Sequence, residues 1–155
     1  MALSYRDIKP DKHFAETIWN AEQSAPRWFR EASAVWHPTF ESYLDFWNQC
    51  GEIFGLFDGE TLVACVYLEI IAGVQVNIHI SVIGKVRTSE LVRFFRSLKN
   101  QKAIEGYTIM CGWLLSKNRG LIRIAADAGF SATGLRMDYG KSNGRVLRWV
   151  QVRGE

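Results

Sequence analysis

At 155 residues, 48% apolar and 13% aromatic, the chain has the length and composition of one globular domain with a full core, and not of a disordered segment. A net charge of +3, with acids interspersed among the Lys and Arg, argues against a nucleic-acid partner. Cys50, Cys65 and Cys111 form no CxxC and stand at no metal-ligand spacing from His13, His37 or His79, so reduced buried thiols, no metal and a cytoplasmic protein are expected.

No run reaches the roughly 18 apolar residues of a membrane span, and MALSYRDIKP lacks the apolar stretch of a signal peptide. Residues 3–8 suit a short first strand. Pro10 and Asp11 then open a helix with Asp11 as N-cap, and Phe14 and Ile18 share its inner face. Residues 20–36, with Pro26 and two Ser, read as a long loop with room for one helical turn. Thr39 caps a second helix in which Phe40, Tyr43, Leu44 and Trp47 recur at helical spacing.

From Glu52 the pattern turns to strand. EIFGLF, a tight turn at Asp58-Gly59, and ETLVACVYLEII read as a hairpin whose second arm is apolar on both faces and so central. Ala72-Gly73 turns the chain into VQVNIHISVI, with Val74, Val76, Ile78, Ile80 and Val82 on one face. Gln75, Asn77, His79 and Ser81 occupy the other. A helix striped by Leu91, Phe94, Phe95 and Leu98 follows, then a strand in YTIMCGWLL. Asn118 precedes a helix ending at Gly129, and two strands joined at Asn143-Gly144 close the chain. The expected architecture is an α/β mixed sheet of six to seven strands with helices on both faces, in one domain over residues 1–155.

This order resembles the GNAT N-acyltransferase superfamily over nearly the whole chain. The local match is KNRGLIRIAADAGF, residues 117–130: an Asn after a strand, a short helix and a terminal Gly-Phe. The resemblance implies acyl-CoA lying between a fourth and a fifth strand that splay apart. Backbone groups of the fourth strand, here around Ser81 and Val82, would hold the pantetheine arm, with Asn118 assisting. The diphosphate would rest on a loop of pattern R/Q-x-x-G-x-G/A at the next helix.

That loop is GKVRTSELV here. With Arg87 on the family Arg, Glu90 and Val92 fall where glycines would let the backbone approach an anion. Thr88 or Ser89 as N-cap with Glu90 in the first turn is ordinary helix-start chemistry, and the alternative is a phosphate cradle in which Lys85 and Arg87 serve as point charges. Acetyl-CoA binding is accordingly expected to be weak or absent.

The resemblance also sets the chemistry. The Tyr that protonates the leaving thiolate in many GNAT enzymes corresponds to Ala125, so the resemblance calls for another acid, with Tyr139 as a candidate. His79 and Glu69 are the base candidates. Each has a plainer alternative: a hydrogen-bonded histidine on a sheet face, a solvated strand end, and an N-cap in the case of Asn118. Two functions stay open. One is a divergent N-acyltransferase acting on a small-molecule or protein amine. The other is an inactive GNAT-fold assembly protein with a partner at Trp28–Trp36, similar to GNAT-like head and virion proteins of short-tailed bacteriophages, in host cytoplasm or virion.

Overall fold

The computed structural model describes residues 3–25, 37–115, 118–139 and 144–152. Their order is β1 (Ser4–Asp7), α1 (His13–Glu22), α2 (Phe40–Gln49), β2 (Glu52–Asp58), β3 (Thr61–Ile71), β4 (Gln75–Val82), α3 (Thr88–Ile104), β5 (Ile109–Leu115), α4 (Arg119–Asp127), β6 (Ser131–Tyr139) and β7 (Gly144–Val152). The seven strands form one sheet in the order β1-β2-β3-β4-β5-β7-β6. All neighbours are antiparallel except β4 and β5. The expected element order and mixed sheet are therefore present.

The sheet separates two cores. On one face Leu56, Val66, Leu68, Val76 and Ile78 meet Leu91, Phe94, Phe95 and Leu98 of α3 and Ile124 of α4. On the other, Ile53, Cys65 and Tyr67 meet Ala15 and Ile18 of α1 and Tyr43 and Trp47 of α2. β3, buried on both faces over most of its length, belongs to both, which explains its near-continuous apolar run. Lys102 is 3% exposed and pairs with Glu52 and Glu105, fastening the end of α3 to the start of β2. Burial opposes its charge, and the two carboxylates outweigh that opposition and hold its pKa up.

Three local expectations shift. Helix α1 runs on through Glu22, so residues 20–22 are helical rather than loop. Its N-cap is Lys12, although Asp11 Oδ1 still accepts from His13 N–H at 3.1 Å. Asp58 pairs with Thr61, which places the hairpin turn at Gly59 and Glu60, with Gly59 at φ 62°. Thr39 does cap α2, in a reciprocal pair with Ser42. The Asn143-Gly144 turn and the Trp28–Trp36 patch reach outside the described residues.

The feature that positions everything else is the β4–β5 junction. These strands pair only at Gln75↔Ile109, Val76↔Met110 and Asn77↔Cys111, then part, while β5 continues against β7 through Leu115↔Val146. At the fork, a Cβ on Gly112 would lie 2.9 Å from the carbonyl oxygen of Ile78. A backbone atom cannot swing aside as a side chain can, so glycine is required there. Gly112→Ala is expected to cost about 1–3 kcal/mol by overpacking, read as a lower urea midpoint; an unchanged midpoint would show that the fork has slack.

Candidate active site

The open edge of β4 follows from hydrogen-bond parity. Ile83 N–H donates to Val63 O at 3.0 Å, while Val74 O accepts from Thr108 and Ile109 on the β5 side. Successive strand residues aim their backbone groups at opposite edges, so the even-numbered residues of β4 face β5. Beyond the fork, the N–H and C=O of Ile80 and Val82 face the gap. Val82 is 48% exposed.

The gap leads to the start of α3. Its N-cap is Arg87, with no side-chain capping bond, and Thr88, Ser89 and Glu90 are the first three helical residues. Thr88 and Ser89 therefore do not cap the helix. Glu90 Oε2 instead accepts from Leu3 N–H at 3.2 Å and Arg93 Nη2 at 2.5 Å. Among the described residues, the N–H groups of Lys85, Val86, Arg87, Thr88 and Ser89 have no acceptor. Lys85 and Arg87 are exposed beside them.

The odd-numbered residues of β4 project their side chains toward α1 and α2. His79 Nε2 lies 2.5 Å from Glu69 Oε1 across the β3–β4 pair, with side chains 21% and 27% exposed, so both can be reached from solvent. The hydrogen bond from His79, aided by the charge between the two, holds the Glu69 carboxyl below its usual range against the effect of burial. A carboxylate only accepts, which assigns the imidazole proton of this contact to Nε2. Phe46 lies between two histidines, its ring 5.0 Å from that of His79 and 4.8 Å from that of His37. Burial, then the charge of His79, pushes the His37 pKa down.

Ser81, two residues along the same face, is not at the surface. Its Oγ donates to Glu22 Oε1 at 2.5 Å and lies 3.4 Å from Tyr67 OH, which is 2.5 Å from Tyr43 OH. Glu22 and Ser81 are 8% and 5% exposed. Burial pushes the Glu22 carboxyl pKa up, and the Ser81 bond only partly opposes this. Sequence reasoning missed Glu22 and His37. At the fork, Gln75 Nε2 contacts Asn77 Oδ1 at 2.8 Å and Cys111 Sγ at 3.2 Å, and the thiol donates to Asn77 Oδ1 at 2.9 Å.

The remaining expected residues divide. Asn118 is the N-cap of α4, its Oδ1 accepting from Leu121 N–H at 3.2 Å. Tyr139 ends β6 opposite Gly144, and its side chain lies outside what is described. So His79 and Glu69 come together, Val82 borders the gap, Ser81 lies buried against Glu22 of α1, and Lys85, Arg87, Thr88 and Ser89 sit at the far end of the gap. No group of three or more metal-ligating side chains occurs among the described residues. None of the described helices is long and apolar enough to cross a membrane.

No family model matches the chain, and no curated protein matches it. Solved structures do. An N-acetyltransferase from Staphylococcus aureus Mu50 superposes with a TM-score of 0.70 at 18% identity, covering 98% of both chains. YncA from Salmonella typhimurium, solved with its cofactor acetyl-CoA, gives 0.73 at 14% identity, covering 100% of this chain and 96% of that one. The ribosomal-protein-S5-alanine acetyltransferase of Vibrio fischeri gives 0.69 at 9% identity, covering 100% and 95%. The splayed mixed sheet, the helix order and these superpositions together show that this chain has the GNAT acyltransferase fold.

Proposed function

We propose that the chain transfers an acetyl group from acetyl-CoA to an amine. The observation that carries this reading is the unpaired edge of β4 beside the His79–Glu69 pair. A pantetheine arm is a chain of amides, and the gap-facing backbone groups of Ile80 and Val82 offer it donors and acceptors at strand spacing. The free N–H groups of residues 85–89, the α3 dipole, Lys85 and Arg87 suit a diphosphate. The Glu90 carboxylate, held by Leu3 and Arg93, takes none of those N–H groups. Asn118 spends its Oδ1 on the helix and keeps its amide N–H groups for the arm. The acetyl-CoA named with YncA supports the choice of donor.

In this reading His79 takes the proton of the attacking amine while Glu69 fixes the ring and stabilises the imidazolium. The C–N bond forms and the C–S bond breaks. Phe46, with His37 on its far side, packs against the His79 ring on the α2 side, from which an amine would approach.

Calorimetric titration with acetyl-CoA should give a Kd in the high micromolar range. The weakness comes from Glu90 and Val92 replacing the glycines that allow close backbone approach. The Lys85→Ala, Arg87→Ala double variant should bind at least about tenfold more weakly, because one charge-assisted contact contributes about 1.5–3 kcal/mol. No heat up to millimolar acetyl-CoA would sink the reading and leave the fold as a binding or assembly scaffold. In turnover over an amine panel, His79→Ala should lose about 10²–10⁴-fold in kcat with little change in KM for acetyl-CoA. Undiminished turnover would remove His79 as the base.

A further inference from the structure

Acyl transfer from a thioester releases a thiolate, and a proton donor placed beside the sulfur speeds its departure. Helix α4 presents Ala125 and Ile124 to the sheet, and neither has a proton to give. We propose that Ser81, backed by Glu22, protonates the departing thiolate. This inference rests on the acyl-transfer reading above and adds a second functional group to it.

Order along β4 is the first argument. The strand runs from the fork, past His79, then Ser81, to the loop at residues 85–89. A molecule of acetyl-CoA anchored by its diphosphate at that loop places its sulfur before its carbonyl carbon. The sulfur therefore lies on the Ser81 side and the carbonyl on the His79 side. The base stands where the amine attacks, and the acid where the sulfur leaves.

The second argument is the state of Glu22. It sits in the last turn of α1 with its carboxyl directed into the sheet face, 2.5 Å from Ser81. The titratable groups that act on it are Tyr43 of α2 and Cys65 and Tyr67 of β3, all neutral when protonated and all with pKa values raised by burial. No cation pairs with it among the described residues. A carboxyl so placed keeps its proton above the usual carboxylate range. When protonated, its O–H donates to Ser81 Oγ across the same contact and releases the serine proton from Glu22, so that a sulfur seated beside Ser81 could take it.

The step balances. The amine N–C bond forms as the C–S bond breaks. The amine proton goes to His79, the Ser81 proton goes to sulfur, and the Glu22 proton replaces that of Ser81. His79 then releases a proton to solvent and Glu22 takes one back, giving amide and free thiol. Tyr67 and Tyr43 continue the chain behind Ser81 and hold its oxygen in place.

Glu22→Gln keeps the shape and removes the proton source. Thiol release from acetyl-CoA, in water and with the best amine of a panel, should fall about 10²-fold in kcat, the ordinary size of a general-acid effect. The Kd for acetyl-CoA should stay within about threefold, since no diphosphate contact is touched. The wild-type rate should fall on the alkaline side as Glu22 ionises, and the variant should lack that limb. Ser81→Ala should reproduce the loss, and the two changes together should cost little more than one, because they break one relay.

Stability supplies a readout apart from turnover. A folded-state pKa raised above the unfolded value gives stabilisation that is present at low pH and lost as pH climbs through the raised value. The Tm of Glu22→Gln should therefore decline less with rising pH than that of the wild type. Intact kcat and an intact alkaline limb in both variants, with acetyl-CoA still bound, would overturn the relay and leave acyl transfer standing. Absence of acetyl-CoA binding in the wild type would instead overturn both. Should Glu22→Gln fail to fold, Ser81→Ala decides alone.

Discussion

Backbone hydrogen bonding at the β4–β5 fork is the constraint on which the rest of the molecule depends. Parallel strands normally satisfy each other along their length, and a buried N–H or C=O left without a partner is costly. Here only three residue pairs form before the strands part. The separation is held from outside: β5 is committed to β7 along its whole length, and β4 to β3 over eight pairs. Those ladders occupy the outer edges of the two strands and fix their directions, while the inner edges that face the gap keep their N–H and C=O groups unpaired with each other beyond Asn77. The open edge is thus secured by two closed ones, and water or a ligand with its own amides must satisfy it.

The two faces of the sheet divide the remaining work. On the α3–α4 side the contacts are apolar, and the end of α4 is finished from across the interface. Arg96 and Lys99 of α3 donate to the carbonyls of Asp127 and Ala128, at 2.7 Å and 3.2 Å. These cations meet the negative end of the helix dipole and two of its orphan acceptors. Gly129 then leaves at φ 95°. On the α1–α2 side the same sheet carries the polar row of β4, and aromatic side chains surround it. The His79–Glu69 pair and the Ser81–Glu22 contact lie there, and the other side serves as apolar backing.

Much of this was legible in the sequence. Alternation in VQVNIHISVI assigned each side chain of β4 to its face, and the apolar run of β3 marked it as central. The parting of β4 from β5 was implied by the resemblance rather than by the pattern of either strand. The bodies of the helices and strands stand where their local periodicity puts them, whereas some ends do not: the α1 cap moves from Asp11 to Lys12 and the hairpin turn moves by one residue. Other misreadings have distant causes. Glu90 has its partner at Leu3, 87 residues away, and no neighbouring residue signals that bond. Glu22 was missed because Pro26 and the serines made residues 20–36 look like loop. A usable signal was present: Glu22 stands four residues after Ile18, on the buried stripe of α1 that Ala15 begins. An acid in register with an apolar stripe is a candidate for a neutral buried carboxyl. His37 carried no such signal, since its neighbours come from α2 and β4.

The bond from Leu3 N–H to the Glu90 carboxylate joins the first strand to the helix end that the diphosphate would occupy. Terminal strands open easily, so the lifetime of this amide proton against exchange with solvent measures how often β1 lets go of α3. A ligand that orders the first turn of α3 slows that opening, and by thermodynamic reciprocity a firmly docked β1 tightens the ligand to the same degree. A single amide at the edge of the sheet thereby becomes a gauge of occupancy at the far end of the cleft, readable without any knowledge of the acceptor.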